Sequence, residues 1–181
     1  MTIQEMRDRI RAARDGIRPE IARCMDENRH DMVESVREQL YSGIDGNGAP
    51  LYPSYSDDPY FRQANAGYYD DDIGHWVSCF LHPERYVAWK MRITPPKAGD
   101  KLNLPPRGAD TPNLFIVGTF HGSITAKPTP NGVEIFTQGW DGGPAVERKY
   151  GPMIFGLSEP AVGHFNAVYL MPALRRWYDG L

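Results

Sequence analysis

At 181 residues, with 41% hydrophobic and 24% charged side chains, the chain has the composition of one soluble domain able to build a core. A net charge of −3 and a pI near 5.9 argue against a general nucleic-acid binder, which needs a basic face to displace counterions. The two cysteines, Cys24 and Cys79, lie outside any CxxC pattern, which removes support for zinc-ribbon and thioredoxin-like chemistry. Residues 1–20 carry charges throughout without an apolar stretch, so the sequence predicts no signal peptide and synthesis in a cytoplasm. No run approaches the ~18 apolar residues of a membrane span, so no membrane partner is expected.

In chain order, residues 2–41 read as helix. Ile3, Met6, Ile10, Ala13 and Ile17 recur every three or four positions, and Ile21, Met25, Met32, Val36 and Leu40 continue the stripe. Gly16 and Pro19 interrupt it, which predicts a break at 16–19 and a new helix with proline in its first turn. Such a helix either packs on its own sheet or also contacts a neighbouring subunit. From Gln39 to Phe61 turn formers dominate: Gly43, Gly46 and Gly48 end the helix, and Pro50 and Pro53 hold an extended path. Asp45 and Asn47 look like the start of a calcium loop, yet Ser56 stands where the closing glutamate belongs.

Between Tyr68 and His82, the residues Asp70, Asp71, Asp72, His75 and His82 are all of metal-ligating type. Consecutive aspartates cannot all face one site, and the His75–His82 separation is no standard ligand spacing. The stretch reads as a solvated acidic loop, and no metal or other cofactor is expected. Residues 86–93 (YVAWKMRI) read as a strand from their aromatic and β-branched content. Residues 94–113 form a Pro- and Gly-rich connection of unusual length. Lys97, Lys101 and Arg107 make it mildly basic, so it faces an acidic partner or is a mobile surface loop.

The stretch Asn113 to Gly139 reads as a β-hairpin. Leu114, Ile116, Phe120 and Ile124 supply one limb, and Val133, Ile135 and Thr137 alternate with Glu134, Phe136 and Gln138 in the other. Pro130-Asn131-Gly132 supplies the turn. After a turn-rich passage from Gly139, Ser158 and Pro160 mark a helix start, and Pro172 opens a second short helix with Leu174, Trp177 and Leu181 on one side. The expected class is α+β: a small antiparallel sheet flanked by a long N-terminal helix and C-terminal helices, with long Pro/Gly-rich loops. One domain is expected over residues 1–181. It divides into a helical region (1–42), a loop-rich insertion with one or two strands (43–112), the hairpin (113–139) and the C-terminal helices (158–181).

No catalytic pattern stands out, and an enzyme is not expected. Ser123 follows His121-Gly122 without a nucleophile elbow, Glu147 and Glu159 can be paired for glycoside hydrolysis only arbitrarily, and no P-loop or GxGxxG occurs. A metal-dependent hydrolase built on Asp70, Asp72, His75 and His82 ranks third among the functional readings.

Three stretches carry a family resemblance. Gln39-Leu40-Tyr41, followed by Gly43, Asp45, Gly48, Leu51, Pro53 and Tyr55, resembles the Q-x-x-x-G-x-D-x-x-G-x-P-L-x-P-x-Y stretch of small tailed-phage proteins. These are the virion-morphogenesis, head–tail joining and tail-completion proteins, tail terminators among them. Gly118 to Ile124 with Val133 to Thr137 is similar to that family's paired strands, and Tyr169 to Leu174 to its closing F-L-x-P-A-L. Residues 57–112 have no counterpart, and Phe120-His121-Gly122 departs from the pattern before Ser123-Ile124. The resemblance implies an α+β structural virion protein that forms a ring with itself, a hexamer or alternatively a dodecamer. Its place is the neck or tail end of the particle, assembled in the host cytoplasm. The implied partners are neighbouring neck and tail proteins, with DNA only as passing cargo in the lumen. Tyr41, Tyr52, Tyr55, Tyr60, Phe61, Lys97, Lys101, Arg107 and Trp177 are the expected inter-subunit contacts, because interfaces favour aromatic residues and arginine. The alternative is a non-catalytic carbohydrate- or protein-binding module that uses aromatics on its loops.

Overall fold

Two consecutive helices carry the N-terminal part of the chain. The computed structural model describes residues 2–181, with α1 at Ile3–Glu27 and α2 at Arg29–Tyr41. Thr2 opens α1 with a capping box: its hydroxyl accepts from the Glu5 amide at 3.2 Å, and the Glu5 carboxylate accepts from the Thr2 amide at 2.5 Å. The break expected at 16–19 lies instead at Asn28. α1 runs through Pro19, which is exposed, so the hydrogen bond that proline removes is lost on a solvated face. Asn28 stops the helix, and its side-chain amide donates to the Cys24 carbonyl at 2.8 Å. Gly16 serves a contact rather than a break, since a Cβ there would meet the Trp177 ring at 2.7 Å.

A short 3₁₀ turn at Pro59–Arg62 leads to strands β1 (Gly67–Asp70) and β2 (His75–Ser78), an antiparallel pair with Gly67 opposite Ser78. The strand expected at 86–93 is a helix, α3 (Pro83–Ile93). Its residues favour strands one by one, but Tyr86, Trp89 and Lys90 fall at helical spacing and turn inward. Pro83 occupies the first turn, and Lys90 and Arg92 the last, where cations suit the helix dipole.

The central hairpin is shorter than its sequence suggests. Residues 114–118 are irregular, and α4 (Thr119–Ser123) leads into β3 (Ile124–Thr129), which pairs with β4 (Gly132–Thr137). The first limb therefore begins only at Ile124. Gly118, at φ 86°, reverses the chain before α4, and Phe120 enters the core from that helix. Pro130-Asn131 makes the two-residue turn. α5 (Gly143–Tyr150) follows the turn-rich passage that begins at Gly139. α6 (Glu159–Phe165), a π-helical stretch at Asn166–Leu170 and α7 (Met171–Asp179) follow one another directly, and the wide turn precedes Pro172.

Packing centres on α2. Its Val33, Val36 and Leu40 meet Leu51, Phe120, Ile124 and Ile154 in the main core, while Met32 joins Cys24, Phe165 and Ala173. Gln39, fully buried, donates to the Gly156 carbonyl at 2.5 Å and accepts from the Ser158 amide at 3.0 Å, tying α2 to the start of α6. Gly46 lies against Gly156 so closely that a Cβ would meet its Cα at 2.6 Å. A separate aromatic cluster of Tyr55, Phe61, Tyr68, Tyr86 and Trp89 joins α3 to the β1–β2 hairpin. The class is α+β as expected. No helix among the described residues is long and apolar enough to cross a membrane.

Candidate functional site

Two surfaces carry groups of exposed apolar residues, while Ile116, Val117, Val162, Val168 and Met171 are exposed elsewhere. The first is α1. At about 100° per residue, Ile3, Met6, Ile10 and Ile17 share the face that carries Cys24 further along. Cys24 is buried against Met32, Phe165 and Ala173, so this face points into the core in the second half of the helix. In the first half it runs past the core: Ile3 is 77% exposed and Ile10 58%. Arg7, Arg14 and Arg18 flank the stripe on one side. On the other side α7 packs through Trp177 on Gly16, and Arg9 donates to the Tyr178 carbonyl at 2.8 Å.

The second surface is the β1–β2 hairpin. Its inner side is held by Tyr68, stacked on Trp89 of α3 at 4.3 Å. Tyr69, Ile73, Trp76 and, just beyond the hairpin, Leu81 are left exposed. Its tip is acidic. Asp70 and Asp72 each take one nitrogen of the Arg92 guanidinium at 2.6 Å, and Asp71 stands in solvent.

A polar groove of about 720 Å³ runs between α2 and residues 97–101 of the long loop. Glu38 holds that loop: its carboxylate accepts from the Leu102 amide at 2.7 Å and from the Lys101 amide at 3.1 Å. A Cβ at position 99 would strike the same carboxylate, which explains Gly99. Lys101 pairs with Asp31 at 3.0 Å, Tyr41 donates to the Pro95 carbonyl at 3.3 Å, and Lys97 lies over the Tyr41 ring. Arg107 is buried and donates to the carbonyls of Thr94, Gly108, Ala109 and Thr111. The long loop is strapped to its own subunit by charged groups.

An apolar cavity of about 460 Å³ lies between α3 and α5, walled by Tyr55, Tyr86, Tyr150, Phe120 and Trp140, with Lys90 among its lining. Lys90 is 1% exposed and its ammonium donates to the Phe115 carbonyl. Burial lowers its pKa to about 7, with Arg107 pushing the same way. Nothing in the local sequence announces a buried lysine; its helical spacing with Tyr86 is the one available signal.

Of the expected contact residues, Tyr41, Lys97 and Lys101 meet in the polar groove. Tyr52 is exposed, Trp177 is half-buried on Gly16, and Tyr60 uses its hydroxyl to bridge the amide and carbonyl of Gly67, both at 3.0 Å. Tyr55, Phe61 and Arg107 are turned inward as packing residues of the subunit itself. The metal-type residues do not converge. Asp70 and Asp72 serve Arg92, and His82 pairs with Glu84 at 2.8 Å. Among the described residues no three His, Cys, Asp or Glu side chains are placed to hold a metal ion. His121 and Ser123 are each tied to main-chain carbonyls, those of Asn113 and Phe120, and not to one another. No protein-family model, no curated protein and no solved structure matches the chain.

Proposed function

We infer that this chain is a non-catalytic, ring-forming adaptor at the head–tail junction or tail end of a tailed phage or prophage particle. One observation supports self-assembly above all: the core-type face of α1 continues past its own core as an exposed stripe of Ile3, Met6, Ile10 and Ile17. A second apolar surface, the β1–β2 hairpin, lies on different elements. Two unlike surfaces on one chain suit a heterologous interface, which closes into a ring when the rotation permits.

The placement in a phage particle rests on the sequence resemblance. In this chain the resembling residues are largely fold-forming. Gln39 bridges α2 to α6, Gly43 takes φ 75°, and the Asp45 carboxylate accepts from the Asn47 and Ala49 amides to shape its own turn. The net charge of −3 suits a lumen that must not trap passing phosphates.

Native mass spectrometry over a concentration series, with negative-stain images of the same samples, tests the reading. Rings of one stoichiometry with a central hole are expected, six subunits first and twelve as the alternative. A strict monomer at every concentration removes self-assembly. It turns attention to the binding-module reading, for which exposed Tyr52 and Trp76 would report a sugar or peptide by fluorescence.

A further inference from the structure

We propose that the first half of α1 is an arm that docks on the β1–β2 hairpin of a second copy of this chain. The inference rests on the self-assembly reading above and names its two surfaces. The apolar match is direct: the arm offers Ile3, Met6 and Ile10, and the hairpin offers Ile73, Trp76 and Leu81, all largely exposed in the single chain. Burying such side chains at a contact is the main favourable term in association.

Charge decides the occupant. Residues 2–19 hold five arginines against Glu5, Asp8 and Asp15, whereas at the hairpin tip Asp71 and Asp72 are exposed and the buried Asp70 shares one cation, Arg92 of α3, with Asp72. A basic apolar arm and an acidic apolar tip are complementary, while two arms meeting each other would repel. Within one subunit the arm is held against α7 and the hairpin against α3, so each presents its outer side to solvent. The contact is head-to-tail, with every copy giving an arm and receiving one.

Two double variants test this. One blocks the arm, Arg7→Glu with Ile10→Asp, and the other blocks the tip, Asp71→Lys with Ile73→Lys. All four side chains are exposed, so far-UV circular dichroism should read wild-type helix content in both. Alone, each variant should assemble at least ~tenfold more weakly than wild type, and the loss should shrink at high salt, which screens the charge. Mixed, the two should form a one-to-one dimer and nothing larger, because the tip-blocked copy still has its arm and the arm-blocked copy its tip.

Arm-blocked protein that still forms wild-type rings overturns the docking and leaves the ring reading standing. A one-to-one dimer from the mixture, with wild type forming open chains, supports the docking and overturns the ring. Wild type that stays monomeric, with no dimer from the mixture, overturns both. Binding of wild type but not arm-blocked protein to anionic phospholipid vesicles, without self-assembly, assigns the arm to a membrane surface and overturns the docking.

Discussion

His121 is kept neutral inside the fold. Its Nε2–H donates to the Asn113 carbonyl at 2.9 Å, and burial lowers its pKa to about 4. In the unfolded chain the same ring titrates near ~6.5. The unfolded state therefore binds a proton between those values that the folded state does not, and stability falls as pH drops through that window, by up to ~3 kcal/mol. Urea midpoints measured across the window should decline in wild type and flatten in His121→Gln; parallel curves would show the ring contributes nothing. Lys90 acts in a higher window. With its pKa lowered to about 7 against ~10.4 unfolded, stability should rise with pH between the two, at a slope of up to ~1.4 kcal/mol per unit. Lys90→Met should remove that slope and raise stability at pH 7 and below. Tyr55, pushed up to about 12 by burial, and the still higher Tyr86 and Tyr150 reverse the trend above pH ~10, where only the unfolded phenols ionise.

Elements here meet at glycines, and two of these separate a packing role from mere permission. Gly46 faces the main chain of Gly156, which cannot swing aside, whereas nothing lies within 4 Å of a Cβ built on Gly122. Gly46→Ala should cost about 1–3 kcal/mol by overpacking, and Gly122→Ala, in a helix, should be neutral or stabilise by a few tenths. Chemical denaturation of the two variants decides it; equal losses would put the glycines in one class. The long N-terminal helix and the second limb of the central hairpin were legible, because a helical stripe and an alternating run are local patterns. α3 departs from its local pattern, because Tyr86, Val87 and Trp89 favour strands locally while the inward spacing of Tyr86 and Trp89 is helical. The first hairpin limb is shorter than its apolar run, because Gly118, at φ 86°, and the short α4 come before Ile124. Of the site, the basic character of the long loop was visible in Lys97 and Lys101. Its clamp on Glu38 and the burial of Lys90 and Arg107 depend on partners far along the chain, which no local pattern contains.

At the scale of the whole molecule the two halves of α1 should differ in protection. The half after Glu20 lies in the core through Cys24, and the half before Ile17 meets α7 at Gly16 and Arg9. In dilute, unassembled protein the amides of residues 6–16 should exchange at least ~tenfold faster than those of residues 24–40, because local opening there exposes little new apolar surface. If copies dock through the arm as proposed, raising the concentration should slow the first set and leave the second unchanged. Equal protection of both halves at low concentration would mean that the arm needs no partner. Gln39 bears on the order of events at the ribosome. Its two partners lie 117 and 119 positions downstream, in a chain whose main core also waits for Ile154. While those residues are still unmade, α2 can coil but the side-chain amide of Gln39 lacks its protein partners. Until residues 154–158 have emerged, the first helices lack the partners that close them.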